Sequence, residues 1–189
     1  MLTKIAVLIA VLVAGILLFA ATGPNQLQIQ RAIRIAAPPQ AIFALINDFH
    51  HWPLWAPQDR DDPTIRRTYE GSPSGLGAIS AWQGAGSTGQ GRMQIVASDP
   101  PRTLTVQVDF AKPFTAHNID EFTLVPVGAT TEITWSMRGT NPFIAKVMSV
   151  FISMDRMMGK HFEAGLANLK AAAESPPRAP TPAPERTPG

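Results

Sequence analysis

Apolar residues recur along this chain in distinct rhythms, and each rhythm predicts a different element. From Ile5 to Ala21 there is no rhythm: seventeen residues, IAVLIAVLVAGILLFAA, carry no charge and follow Lys4. That length is short for a membrane-spanning helix and long for a signal-peptide core. No A-x-A cleavage pattern follows, so an uncleaved anchor is the reading, with a cleaved signal as the alternative. Lys4 then favours a cytoplasmic N-terminus and a domain outside the cytoplasm, although Arg31 and Arg34 oppose that bias. Leu27 to Ile35 alternates instead, with Leu27, Ile29, Ile33 and Ile35 on one face and Gln28, Gln30 and Arg34 on the other. This is the period of a half-buried strand, in which Arg31 is the one polar residue at inward parity.

Ala36-Ala37-Pro38-Pro39 breaks the strand and opens a short helix from Pro39 to Asn47, apolar at Ile42, Phe43, Leu45 and Ile46. Asp48 to Asp62 is aromatic, proline-rich and aperiodic, which predicts a packed loop. Strand patterns follow at Ile65–Glu70, Ala78–Gln83, Gly89–Ser98, Thr103–Phe110, Thr115–Val125 and Thr130–Arg138, separated by turn residues. In the fifth of these, Asp120 shares parity with Phe122 and Leu124, which predicts a bulge or an inward polar group. From Asn141 to Glu174 the period changes to three and four: Phe143, Val147, Phe151, Met154, Met158, Phe162, Leu166 and Leu169 form one stripe. Lys146, Asp155, Lys160, Glu163 and Lys170 occupy the other face. Ser175 to Gly189, SPPRAPTPAPERTPG, has too little apolar content to order itself.

A strand, a short helix, a meander of strands and a long helix predict an α+β fold. One curved antiparallel sheet wrapped around the long C-terminal helix lets each apolar face bury the other. The boundaries that follow are an anchor over 1–23, one domain over 24–174 and a proline-rich tail over 175–189. Composition narrows the chemistry. Sixteen basic against fourteen acidic residues give a net charge of +2, too small to argue for nucleic acid. The chain has no cysteine, which removes disulfides, thiolate catalysis and cysteine metal sites.

Several segments together resemble the polyketide cyclase/START-like superfamily, the helix-grip proteins that include lipid-transfer and Bet v 1-type domains. They are Ala36 to Phe43, Asp48-Phe49 with Trp52 to Pro57, Gly75 to Ala78 before Trp82-Gln83-Gly84, Pro100 to Leu104, Thr131 to Trp135, and the terminal helix. The resemblance covers about Leu27 to Ala173, and with its N-terminal segment the chain is similar to membrane-attached bacterial members. It implies an apolar cavity between sheet and helix, used in the superfamily for lipids, polyketides and hormones, with catalysis in only some members. The residues placed around that cavity are Trp82, Phe110, Asp120, Phe122, Trp135, Met137, Phe151, Met154, Met158 and Phe162.

Other motifs lead to blander readings. Gly84-Ala85-Gly86-Ser87-Thr88-Gly89 spells the dinucleotide fingerprint, but a strand pattern follows it where a phosphate-binding helix is required. A hairpin turn is the better reading. His50 and His51 lie among Asp48, Asp59, Asp61 and Asp62, yet adjacent histidines chelate poorly together, and neither a metal nor a cofactor is expected. His117 and His161 are the remaining candidate bases, and no serine lies in a nucleophile elbow. The expected function is a membrane-tethered domain binding a hydrophobic small molecule or lipid, with Asp120, Arg31 and His161 as polar groups fixing its orientation. A scaffold with a filled core and a cyclase- or dehydratase-type enzyme in the same cavity are the alternatives.

Overall fold

The computed structural model describes residues 2–112, 115–140, 146–147 and 154–175. Helix α1 spans Leu2–Thr22, and three residues later β1, Gln26–Ile35, begins the domain. The segment after β1 forms α2, Pro39–Ile46, which starts on a proline and buries Ile42, Phe43 and Ile46. The aperiodic stretch that followed in sequence holds two short helices rather than irregular loop. One is a 3-10 helix, Phe49–Leu54, capped by Asp48, whose carboxylate accepts from the His50 N–H; the other is α3, Pro57–Asp61. The Asp48 cap shapes the first and a proline at the first turn the second, and neither is long enough to display a period.

Six further strands complete the sheet: β2 Arg66–Gly71, β3 Ala78–Gln83, β4 Gln90–Asp99, β5 Thr103–Lys112, β6 Ala116–Val127 and β7 Thr130–Thr140. All neighbours are antiparallel and the spatial order is β1-β7-β6-β5-β4-β3-β2, a meander closed by β1 along β7. The irregularity in register lies in β4, at Gln90/Gly91 and Ile95/Ala97. Strand β6 runs in continuous register with both neighbours, so Asp120 is an inward polar group and not the mark of a bulge.

The terminal helix α4, Met154–Glu174, lies along β1 and runs in the same direction. Near its start the Arg31 guanidinium bonds the carboxylates of Asp155 (3.1 Å) and Glu163 (2.8 Å). At its end Glu174 accepts from the Ala36 N–H at 2.6 Å, and Lys170 donates to the Arg34 carbonyl at 3.1 Å. The Arg31 parity exception is thereby explained: the side chain crosses the helix at Gly159, where a Cβ would overlap the guanidinium. Phe162, Leu166 and Leu169 are buried as the stripe predicts, and Met158 is half-buried. Lys146 departs from its expected place on the solvated face. It is buried, and its ammonium donates to Asn25 Oδ1 at 2.5 Å. Phe143, Phe151 and the tail from Pro176 lie outside the described residues, as does the side chain of Met154.

Candidate functional site

Inward-facing residues of the sheet change character along the strands. At one end Ile35, Ile95, Leu104, Leu124, Ile133 and, from α4, Leu169 make a closed apolar core. Toward the other end the same faces carry Met93, Val108, Phe110, Asn118, Asp120, Trp135 and Met137, which surround a cavity of about 360 Å³. Helix α4 supplies Met157, Met158, His161 and Phe162 to it, while Trp52 and Gln58 come from the two short helices, Ala56 from the link between them, and Trp82 and Thr88 from the β3–β4 hairpin.

Of the residues placed there from sequence, Trp82, Phe110, Asp120, Trp135, Met137, Met158 and Phe162 line this space. Phe122 does not: it sits two residues further along β6, fully buried against Trp52, Trp55 and Trp135. Phe151 and the Met154 side chain fall outside the described residues. Among the polar candidates, Asp120 and His161 line the cavity, whereas Arg31 is committed to Asp155 and Glu163. Sequence reasoning missed Trp52, Ala56 and Gln58, whose segment has no period, and Met93, Val108 and Asn118. These last three did carry a signal, since they alternate in phase with Ile95, Val106 and Asp120.

Aromatic packing fixes the cavity walls. Trp135 lies flat against Phe162, with centroids 4.0 Å apart and 9° between planes, and stacks on Phe122 at 5.1 Å with 27° between planes. Trp82 meets Phe110 edge-on at 5.3 Å and donates its indole N–H to the Thr88 carbonyl at 3.1 Å. Its ring occupies the space over Gly91, where any Cβ would collide with it. The hairpin bearing Thr88 is held in turn by Asp62. One oxygen of that carboxylate accepts from the Thr64 N–H and hydroxyl at 2.9 and 2.6 Å, and the other from the Ala85 N–H at 2.7 Å. The Thr64 hydroxyl and these amides hold the Asp62 carboxyl down to about 2. Gly84 to Gly89 thus forms a hairpin with a short 3-10 turn, leading directly into β4. A bidentate ion pair, Arg67 to Asp59 at 2.7 and 2.6 Å, fixes α3 to β2 and so sets the position of Gln58.

Asp120 is the chemical centre of the site. It is 6% exposed, and its Oδ2 accepts the Trp135 indole N–H at 3.1 Å. Its Oδ1 and the Oε1 of Gln58 are both buried without a protein hydrogen-bond partner. Burial pushes the Asp120 carboxyl up from 3.8 to about 7, against the weaker opposing pull of the Trp135 N–H. Near neutral pH the group is therefore both acceptor and donor. The arrangement offers an apolar enclosure with a polar point able to exchange hydrogen bonds or a proton with whatever enters. The histidines outside it are engaged locally: His50 with Asp48 at 2.7 Å and stacked on Tyr69, and His117 with Asp109 at 2.7 Å.

A family model described as polyketide cyclase/dehydrase and lipid transport matches residues 26–174. No curated protein matches the chain by sequence. Among solved structures, protein CV1439 from Chromobacterium violaceum is 15% identical, with 82% of this chain and 100% of that one covered and a TM-score of 0.57. Hypothetical protein jhp0584 from Helicobacter pylori is 9% identical over 80% of this chain and 90% of its own, with a TM-score of 0.62. Ginseng major latex-like protein 151 from Panax ginseng is 14% identical over 80% and 100%, with a TM-score of 0.57. At these identities the three likenesses concern the fold.

Proposed function

Because the chain belongs to the polyketide cyclase/dehydrase and lipid transport family, we propose that it binds a hydrophobic small molecule, lipid or polyketide-like, between sheet and α4 while α1 tethers it to a membrane. The observation that carries this reading is the cavity of about 360 Å³, walled by tryptophan, phenylalanine and methionine around one buried carboxyl. Burial supplies the affinity, at roughly 25 cal/mol for each Å² of apolar surface removed from water. Asp120 and Gln58 supply orientation: a ligand hydroxyl or amide N–H would satisfy oxygens that the protein leaves unbonded. Helix α1 is long and apolar enough to cross a membrane, and most of its apolar side chains are exposed. On this reading 1–23 is anchor and 24–174 is the binding domain.

Tryptophan fluorescence tests the proposal directly. All four tryptophans, Trp52, Trp55, Trp82 and Trp135, lie in the domain and none in α1. Full-length protein in nanodiscs, titrated with a brominated long-chain alcohol, is expected to show saturable quenching that Val108→Phe, which narrows the cavity, weakens. Quenching that merely follows the partitioning of the probe into lipid, equal in both proteins, would sink the reading.

One observation favours a second reading. A carboxyl that titrates at about 7 inside an apolar cavity is poised for general acid or base chemistry. On that reading Asp120→Asn would preserve binding but abolish conversion of the bound compound. Mass spectrometry of the ligand recovered before and after incubation distinguishes the two.

A further inference from the structure

The cavity and the N-terminal helix meet at the same end of the sheet. Only Gly23, Pro24 and Asn25 separate α1 from β1, a reach of about 10 Å even when extended. The first residues of β1 pair with the last of β7, Gln26 with Thr140 and Leu27 with Gly139. Gly139 pairs in turn with Asn118, a residue of the cavity. Two strand spacings, about 10 Å, therefore separate the cavity edge from the point where α1 enters the domain. The connection is also held in place. Ala20, in the last turn of α1, is buried, Gly23 donates its N–H to the Ala20 carbonyl at 3.1 Å, and Lys146 bonds Asn25.

Among the described residues, burial places the mouth of the cavity at that end too. Trp52, Ala56, Met93, Trp135 and Phe162 form its closed interior. Phe110 and Asn118, close to the α1-proximal ends of β5 and β6, are only half-buried. Met157, in the first turn of α4, is 48% exposed although it faces the cavity. Helix α4 runs along β1 in the same direction, so its first turn points to the same end as Gln26. The opposite end is sealed by Ile35, Leu104, Leu124 and Ile133 and offers no entry among the described residues.

We propose that the mouth of the cavity faces the lipid bilayer that holds α1, so that an apolar molecule passes between membrane and cavity without crossing bulk water. The inference rests on the tethered-domain reading and adds to it an orientation and a route. A linker of three residues leaves the domain little freedom to turn its mouth away. Exposed apolar surface at the rim, such as Met157, costs little against the interfacial region of a bilayer, whereas in water it is unfavourable. Lys112 at the end of β5 and Lys160 on the second turn of α4 are exposed, and both would meet lipid headgroups there.

Site-specific labelling tests the orientation in the full-length protein, because a chain without cysteine accepts a single one cleanly. A fluorophore is placed at Lys112→Cys, at the proximal end of β5, or at Ala129→Cys, in the turn between β6 and β7 at the far end. Both positions are exposed and outside the cavity lining. The proteins are reconstituted in phosphatidylcholine vesicles with and without a nitroxide on the headgroup, and flotation is recorded first. The proximal label is expected to be quenched severalfold more than the far one. Inserting about twenty flexible residues between Pro24 and Asn25 should shrink that difference, since effective concentration falls steeply with tether length. Equal or reversed quenching in vesicles that carry the protein would overturn the orientation and leave the tether standing. Failure of the protein to float with the vesicles would overturn the tether itself, and the orientation with it.

Discussion

Replacing Asp120 by asparagine should stabilise the domain, and by an amount that depends on pH in a set direction. The substitution keeps size, shape and an oxygen able to accept the Trp135 N–H, and it removes the charge. In the unfolded chain this carboxyl titrates near 3.8 and in the folded domain at about 7, because burial penalises the ionised form. The folded state therefore holds its proton more tightly than the unfolded chain. Below about pH 4 both states are protonated and the aspartate costs nothing. As pH rises toward 7 the unfolded chain ionises first, and stability falls until the folded form ionises as well. Each unit of pKa difference is worth about 1.4 kcal/mol, so the full loss is about 4 kcal/mol. For a domain of about 150 residues that corresponds to roughly 10 °C in Tm. Thermal melts of wild type and Asp120→Asn in nanodiscs, followed by tryptophan emission, should converge at pH 4 and separate to that extent by pH 8, with the variant the more stable. Other groups titrate in this window, and taking the difference between the two proteins isolates Asp120. A difference that stays constant from pH 4 to 8 would show that Asp120 is not buried and uncharged, and with it would go the polar centre of the site.

Further substitutions test the framework around the cavity. Gly159→Ala drives a methyl into the Arg31 guanidinium, and forced repacking of that kind costs about 1–3 kcal/mol, read as a lower Tm. Removing the long side chain as well, in Arg31→Ala/Gly159→Ala, should recover part of the loss, and strictly additive effects would refute the contact. Asp62→Ala frees the β3–β4 hairpin, so limited proteolysis at neutral pH should cut faster within Gly84–Gly89 than in wild type. The Asp62 carboxyl is depressed to about 2, so its contribution is present above about pH 4 and fades as pH falls through 2; the variant and wild type should converge in strong acid.

Legibility in the sequence followed the length and regularity of each element. Strands that alternate over ten residues, such as β1 and β5, could be placed to within a residue or two, because one buried face imposes period two. The inward parity of Asp120 and Trp135 was visible, and so was their common destination. Their hydrogen bond was not, since it depends on the register that sets Phe122 opposite Trp135 and Asp120 one step beyond, opposite Met137. Phe122 illustrates the limit: parity says that a residue points inward, but not whether it meets cavity or core. Trp52, Ala56 and Gln58 were hidden for a different reason. Helices of five or six residues complete too few turns to show a stripe, and tertiary packing alone decides which side chains they bury. Arg31 looked anomalous for want of its partners, which lie more than 120 residues away in sequence.

Where this fold departs from simple patterning, many of the departures gather in one half of it. At the sealed end of the sheet Ile35, Ile95, Leu104, Leu124 and Ile133 are apolar, inward and fully or nearly fully buried, and the inward Thr131 among them donates its hydroxyl to the Ala37 carbonyl. At the other end an acid replaces an aliphatic residue at position 120, and Gly91 stands where the alternation of β4 calls for a side chain. Gly139 stands likewise at the end of β7, against Asn118. Glycine weakens a strand, and a buried carboxyl with one oxygen left unbonded weakens a core. Aliphatic residues at both 120 and 135 would cure the second defect without orphaning the Trp135 N–H, in a fold that fills comparable positions with aliphatics a few residues away. Stability alone therefore does not account for the hollow end. Local rules are broken together where a structure is shaped for something other than its own packing. Here the glycines give clearance to Trp82 and Asn118, and Asp120 and Gln58 set unbonded oxygens into the cavity wall. The unbonded oxygens are what a bound amphiphilic molecule would satisfy, and they are a cost to the empty domain.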